Sequence, residues 1–137
     1  MHIIDIQPET VFQALSDPTR LRIMRLLCIT REEACLCEFV DTLLEPQYKL
    51  SRHIKILKQA GLLNVRKDGR WIYHKLVSSA DFLKQLHLTI TMLTDSTDQY
   101  EDDLKRFTER MKLRESGRCR IGIQNKTLLS EKLNKQS

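Results

Sequence analysis

The sequence predicts a mainly α-helical fold with one small β-hairpin. In several segments apolar residues recur every three or four positions, and Pro, Gly or capping residues bound these segments. One later stretch instead carries β-branched and aromatic residues on both sides of an Asp-Gly pair. The 137 residues suffice for one small domain, and 41% hydrophobic with 30% charged residues is typical of a folded chain.

The first two helices are predicted from their start signals. Residues 8–15 begin with Pro8, which the first turn of a helix tolerates. Asp17 can cap a second helix in which Pro18 occupies the first position. That second helix carries an apolar stripe of Leu21, Met24, Leu27 and Cys28.

Two further helices follow with a tight break between them. Residues 34–44 have apolar residues in helical register, residues 45–47 break the pattern, and residues 48–60 form the next helix. Gly61 supplies its stop. We therefore expect a helix-turn-helix in this part of the chain.

The hairpin and two C-terminal helices complete the predicted order. Asp68-Gly69 is a preferred two-residue turn between strands over residues 62–67 and 70–76. A fifth helix is expected to run to about Thr94, and a sixth to begin near Ser96, where Ser96 and Gln99 have capping-box spacing.

This order is that of a winged helix-turn-helix, which we expect to be dimeric. Residues 1–95 are assigned to a DNA-binding and dimerisation domain, 96–115 to a C-terminal helix that extends the dimer or packs back, and 116–137 to a basic, mobile tail that carries Cys119. Phe82, Leu86, Ile90 and Leu93 form a stripe suited either to a partner helix or to the core of the chain itself.

The second helix of the helix-turn-helix presents polar and basic residues opposite its apolar face. Arg can donate two hydrogen bonds to guanine and Gln can pair with adenine, whereas Lys and Arg at a wing tip meet phosphates. A net charge of +5 fits a polyanionic partner. A solvated basic face is the simpler interpretation, but the broken helix pair and the hairpin within a short stretch favour double-stranded DNA. His53 either touches a phosphate or packs at the edge of the scaffold. The predicted DNA-binding residues are Gln47, Lys49, Ser51, Arg52, His53, Lys55, Lys67 and Arg70.

Four stretches of the sequence stand out: Asp17-Pro18-Thr19-Arg20-Leu21-Arg22-Ile23, Cys35-Leu36-Cys37-Glu38, residues 50–62 and residues 69–76. Together they resemble the ArsR/SmtB family of metal-responsive repressors. The resemblance implies a homodimer joined through its first and last helices, which binds a near-palindromic operator and represses a resistance operon. A zinc site on the last dimerisation helix is not expected, because His87 lacks a second His there.

The Cys35-x-Cys37 pair resembles the arsenical-sensing branch of that family, although Val40 stands where that pattern often has a third cysteine. Arsenite, As(III), or antimonite, Sb(III), is therefore the expected effector, because thiolates bind soft ions. Side chains two positions apart on a regular helix diverge by about 200°. We therefore expect that binding one ion to both unwinds the start of the third helix and misplaces the DNA-reading helix.

The third ligand is left open by the sequence. Cys119 lies in a basic segment whose flanking arginines should lower the pKa of its thiol and make it reactive. Cys28 lies on the apolar stripe of the second helix and is less suited, since free Cys is commonly a small core residue. An exogenous third ligand is the remaining alternative.

Other classes of function are weighed against this prediction. The sequence has no Gly-rich phosphate loop, nucleophile elbow or Cys-x-x-Cys, so an enzyme is not expected. A repressor that senses thiol oxidation, Cd or Pb is the alternative. A constitutive DNA-binding or protein-interaction module with incidental cysteines is a further one. No stretch reaches the ~20 apolar residues of a membrane span and no secretory signal is visible, so a cytoplasmic location is expected.

Overall fold

The computed structural model describes residues 6–125 as six helices and three short strands. The predicted order of four helices, a hairpin and further helices is confirmed, with one additional strand ahead of the third helix. The elements are α1 (Pro8–Leu15), α2 (Pro18–Thr30), β1 (Ala34–Cys35), α3 (Leu36–Leu43), α4 (Gln47–Gln59), β2 (Leu63–Asp68), β3 (Trp71–Leu76), α5 (Asp81–Thr91) and α6 (Gln99–Met111).

The predicted start and stop signals act as expected in the first half of the chain. Asp17 caps α2, because its carboxylate accepts a hydrogen bond from the Arg20 backbone N–H at 3.0 Å. Gly61 has a φ of +84° just after α4, in the left-handed region where glycine ends helices without strain.

The third helix is shorter than predicted, and this changes the geometry of its cysteines. Residues 34–35 are extended and form β1, which pairs with β3 so that Cys35 lies opposite Tyr73. The helix begins at Leu36 because the Glu38 side chain accepts a hydrogen bond from the Cys35 backbone N–H at 2.9 Å. Cys35 is thus the N-cap residue, outside the helix in which it was predicted.

The sheet is antiparallel, with β3 between β1 and β2. Asp68 pairs with Trp71, so the two-residue turn is Gly69-Arg70 and not the predicted Asp68-Gly69. Gly69 has a φ of +62°, which suits the first central position of a type II′ turn. The wing is therefore a tight hairpin whose inner strand also pairs with the segment ahead of α3.

The last two helices are separate, and α5 ends at Thr91, before the predicted Thr94. Helix α6 begins at Gln99 without the predicted Ser96 capping box. Instead the hydroxyl of Thr97 and the carboxylate of Asp95 accept hydrogen bonds from the backbone N–H groups of Gln99 and Tyr100. These side chains satisfy the free donors of the first turn, as a cap does.

The core lies between the helices and the base of the sheet. Its buried residues come from the two helices of the helix-turn-helix, α3 and α4, and from the elements around them. These contacts hold α4 by its buried face. In the described range no helix combines the length and hydropathy needed to cross a membrane. Fully buried core side chains include Val11, Ile23, Leu27, Phe39, Leu50, Leu57 and Leu83.

Candidate DNA interface and thiol site

Helix α4 buries one face and leaves the other in solvent. Leu50, Ile54 and Leu57 are buried and attach the helix to the core. Ser51, Arg52, Lys55 and Lys58 are exposed on the remaining surface, which we call the reading face. A helix held in this way can enter the major groove of DNA without disturbing its own packing.

The remaining predicted DNA-binding residues differ in how freely they are presented. Lys67 and Arg70 are exposed near the wing tip, and the Arg70 guanidinium lies 4.8 Å from the centre of the Trp71 ring. Gln47 is half-buried at the start of α4. Lys49 is half-buried as well, with its Nζ 3.0 Å from Glu45 Oε2.

His53 lies at the edge of the scaffold, which is one of its two predicted positions. Its Nδ1 is 3.0 Å from Arg20 Nη1 and 3.6 Å from Asp17 Oδ2. Burial lowers the pKa of His53 below its usual value, and the neighbouring arginine adds to this effect. The ring therefore connects α4 to the start of α2.

Three cysteines converge beside α3, in a group that we call the thiol site: Cys35, Cys37 and Cys119. The Sγ atoms of Cys37 and Cys119 are 3.7 Å apart. The Sγ atoms of Cys35 and Cys119 and a carboxylate oxygen of Glu38 lie within 4.8 Å of one another. The structure thus brings together the three cysteines that the sequence analysis proposed as ligands.

The segment after α6 holds Cys119 in the thiol site, because it packs against β3, α3 and α6. The Cys119 backbone N–H donates to the Tyr73 hydroxyl at 2.7 Å, and Arg110 Nη2 donates to the carbonyls of Ile121 and Gly122, each at 3.1 Å. The Gln124 backbone N–H donates to the Asp41 carboxylate at 2.9 Å. The expectation of a mobile tail therefore does not hold for residues 116–125, and the rest of that tail lies outside the described residues.

The three thiols have different electrostatic environments. The pKa of Cys37 is lowered to about 7, because its sulfur accepts hydrogen bonds from Cys35 and Cys119 and lies near the Arg110 guanidinium. The pKa of Cys35 is raised, because its thiol donates to Cys37 and is buried. Cys37 is therefore the thiol of the site that ionises most readily near neutral pH.

Burial raises the pKa of Cys119 to about 11, and the nearby carboxylate of Glu38 adds to the rise. The expectation that flanking arginines would lower this pKa is wrong. The side chain turns inward and is fully buried, whereas Arg118 and Arg120 are exposed to solvent.

The prediction that α3 must unwind assumed that Cys35 and Cys37 lie on one regular helix, and this assumption is wrong. Cys35 is extended, with a φ of −81° and a ψ of 159°, and only Cys37 belongs to the helix. The side chains of the pair therefore approach each other from a strand end and a first helical turn.

Sequence reasoning missed the charged residues that frame the thiol site. Three arginines at four-residue intervals lie against α3, two of them on α6 and the third just after it. Arg106 Nε donates to the Thr42 carbonyl at 2.6 Å and Arg110 Nε to Asp41 at 2.6 Å. Arg114 Nε donates to Glu38 at 2.8 Å. The four-residue spacing was visible in the sequence, but the acceptors lie some 64 to 76 positions away.

Cys28 is separate from this group. It lies in the main core with a relative exposure of 3%, and burial raises the pKa of its thiol to about 12. This placement agrees with its interpretation as a small core residue.

The winged helix-turn-helix with an exposed basic reading helix defines a class, the DNA-binding transcription regulators. A family model described as "Helix-turn-helix domain" matches residues 15–66. The chain is 42% identical over 67 residues to the uncharacterized HTH-type transcriptional regulator MJ1325 of Methanocaldococcus jannaschii, which is 49% of this chain and 74% of that protein. It is also 42% identical over 71 residues to the arsenic resistance transcriptional regulator ArsR1 of Pseudomonas putida, covering 52% of this chain and 55% of that relative.

Among solved structures, HlyU from Vibrio cholerae is similar with a TM-score of 0.51 and 26% sequence identity, over 59% of this chain and 88% of HlyU. The chain belongs to the ArsR/SmtB family. Its matched segment spans little more than half of the arsenic regulator's own length.

Proposed function

We propose that this protein is a dimeric transcriptional repressor that leaves its operator when arsenite or antimonite binds Cys35, Cys37 and Cys119. The observation that carries the proposal is the convergence of three thiols, one of them with a pKa lowered to about 7. Soft thiophilic ions bind thiolates in preference to oxygen ligands. The name of the arsenic regulator among the relatives points to the same effector.

The binding chemistry is a ligand exchange. Arsenite is present in neutral water as As(OH)₃, and three thiols replace its three hydroxyl groups. Three As–O bonds break and three As–S bonds form. The thiol protons of Cys35 and Cys119 leave with two of the hydroxides as water, and the third hydroxide, displaced by the Cys37 thiolate, takes a proton from the solvent. The Cys37 thiolate begins the exchange because it is the strongest nucleophile of the three at neutral pH.

The reading face supports the DNA-binding part of the proposal. Ser51, Arg52 and Lys55 present donors to base edges, while Lys67 and Arg70 reach phosphates from the wing. Such phosphate contacts make operator affinity depend strongly on salt.

Exposed apolar residues on α1 and α5 support the homodimer. Phe12, Phe82 and Leu88 are 56%, 41% and 59% exposed, and Met92, just after α5, is 76% exposed. Within the predicted stripe, Ile90 is instead buried in the core of the chain. A second copy seated on this surface would place two reading helices in successive major grooves.

Release is proposed to pass through the wing and α3 together. Cys35 pairs with Tyr73 of the wing strand β3, and Cys37 is in the first turn of α3. The backbone N–H of Cys119 donates a hydrogen bond to the Tyr73 hydroxyl. Drawing three sulfurs onto one ion shifts these elements relative to α4. A 100-fold weaker operator affinity requires about 3 kcal/mol of coupling.

The test is operator binding under full reduction, measured as fluorescence anisotropy of a labelled duplex from the upstream region of the gene. Arsenite should release the native chain, whereas Cys35→Ser, Cys37→Ser and Cys119→Ser should each remain bound at concentrations that release it. Cys28→Ala is the matched control and should respond like the native chain. Normal release of the three site variants would refute the proposal.

A thiol-oxidation sensor is the second candidate, favoured by the 3.7 Å between the sulfurs of Cys37 and Cys119. It predicts release by hydrogen peroxide, with reduction of the oxidant and formation of a disulfide, and no release by arsenite under reduction. The same anisotropy measurement with the two reagents in separate arms distinguishes the candidates.

A further inference from the structure

The thiol site contains a fourth potential ligand, the carboxylate of Glu38. This side chain is fully buried, and one of its oxygens lies within 4.8 Å of the sulfurs of Cys35 and Cys119. The sulfur of Cys37 is 3.7 Å from that of Cys119, so the neighbourhood offers three sulfurs and one carboxylate oxygen, the kinds of ligand that a four-coordinate divalent cation can use.

The Glu38 carboxylate is, however, already held by other groups. Its Oε1 accepts hydrogen bonds from the Cys35 backbone N–H and from Arg114 Nη2, each at 2.9 Å, and its Oε2 accepts from Arg114 Nε at 2.8 Å. The arginine makes a two-pronged contact that occupies both oxygens, which is the strongest arrangement available to a carboxylate.

Arg114 is itself fixed in a buried position. Its side chain is 8% exposed, its Nη2 also donates to the Glu33 carbonyl at 2.6 Å, and its guanidinium lies 5.5 Å from the centre of the Tyr73 ring. If Glu38 turned toward a metal ion, this guanidinium would lose its two-pronged contact and its buried carboxylate, and would keep only the longer ion pair of its Nη1 with the exposed Glu32, at 3.6 Å. Removing one partner of a buried ion pair is strongly unfavourable.

We propose that Arg114 sets the ion specificity of the thiol site by keeping the Glu38 carboxylate from acting as a fourth ligand. An ion satisfied by three thiolates binds without disturbing the pair. A divalent cation that prefers four ligands, such as Cd²⁺ or Zn²⁺, must either bind with only the three thiolates or separate Glu38 from Arg114. Arg114 is thus a specificity-determining residue that touches no ion. This inference rests on the proposed function, because it assumes that the three thiols bind arsenite.

The experiment measures Cd²⁺ and arsenite binding separately, by ultraviolet charge-transfer absorbance of the reduced full-length chain. Arg114→Gln should bind Cd²⁺ at least tenfold more tightly than the native chain, because the carboxylate is released. Its arsenite affinity should stay within about threefold of native. Adding Glu38→Gln to Arg114→Gln should return the Cd²⁺ affinity to the native value.

Two further variants keep the test decisive if Arg114→Gln does not fold. Arg114→Lys retains the charge but not the two-pronged contact, and should gain part of the Cd²⁺ affinity. Glu38→Gln alone should change the Cd²⁺ and arsenite affinities by the same factor, because Glu38 is a ligand of neither ion in the native chain. Retained arsenite binding shows in each case that the site is still assembled.

The outcomes separate the two proposals. If native arsenite binding is unaffected by loss of the cysteines, the proposed function fails. If arsenite binds through the cysteines but both Arg114 variants bind Cd²⁺ no better than native, the inference about Arg114 fails. A loss of Cd²⁺ affinity in Glu38→Gln alone that exceeds its loss of arsenite affinity tenfold, or a gain that survives the double substitution, overturns it as well.

Discussion

Cys28 and Cys37 are nine positions apart in the chain, yet they lie in opposite electrostatic environments. Cys28 is surrounded by the apolar core, which raises the pKa of its thiol to about 12. Cys37 accepts hydrogen bonds from two thiols and lies 3.9 Å from Arg110 Nη2, and its pKa is lowered to about 7. Cys28 is buried and Cys37 is half-buried. The comparison shows that burial suppresses a charge unless donors and an opposite charge are buried with it.

His74, like Cys28, is a titratable residue whose pKa is shifted by burial toward its neutral form. It is 8% exposed on β3 with its ring 6.4 Å from that of Phe39, and burial lowers its pKa to about 4. The thiol site instead contains ion pairs, among them Arg110 with Asp41 and Arg114 with Glu38. The following predictions test this contrast, in order of decreasing expected effect.

Alkylation rates should separate the two cysteines most strongly. At pH 7 iodoacetamide should modify Cys37 roughly 1,000-fold faster than Cys28, since the thiolate is the reactive form and its greater abundance at Cys37 outweighs its lower intrinsic nucleophilicity. The Cys37 rate should fall as the pH drops below 7. Mass spectrometry of timed digests measures both rates, and comparable modification of the two thiols would contradict the contrast.

The pH dependence of stability should report His74. Because its pKa in the folded state lies below the unfolded value of 6.5, its neutral form is favoured on folding. The contribution is fully present above pH 6.5 and is lost as the pH falls toward 4, up to about 3 kcal/mol. Urea unfolding of the native chain and His74→Gln at pH 7 and pH 4.5 measures it. An equal loss in both chains would show that other groups cause the acid sensitivity.

Arg110→Met should weaken the thiolate at Cys37. Removal of the positive charge and the N–H donor should raise the pKa of Cys37 by about one unit. Its alkylation at pH 7 should slow about twofold, because the loss of thiolate outweighs the higher intrinsic nucleophilicity. Arg110→Lys retains the charge and should lie closer to native, and the rate at Cys28 should not change. An unchanged Cys37 profile in the Met variant would assign the low pKa to the neighbouring thiols alone.

Cys28→Ala should have the smallest effect. Removing one buried sulfur leaves a small cavity and should cost about 1 kcal/mol of unfolding free energy. Arsenite-driven release of operator DNA should remain within about twofold of native, since Cys28 lies outside the thiol site. Thermal unfolding checks the stability and the anisotropy measurement checks the release of DNA. A lost arsenite response would show that Cys28 takes part in sensing.

The helices and hairpin were predicted within a few residues, since their signals are local. Asp17, Pro18 and Gly61 act at the positions where the sequence places them. The errors at the start of α3 and at the wing turn each concern one or two residues. In both cases strand pairing with β3 decided the boundary, and such pairing is not visible within a short window of sequence.

The basic reading helix, the wing and the unusual Cys-x-Cys were determined by the sequence alone, because periodicity and turn residues act over a few positions. Tertiary structure decided which thiols meet, how they ionise and what holds them. Cys37 and Cys119 are 82 positions apart, and their approach depends on α6 packing across α3 through Arg106, Arg110 and Arg114. The pKa of a thiol depends on the charges and donors within a few ångströms, and only the folded chain brings those groups together.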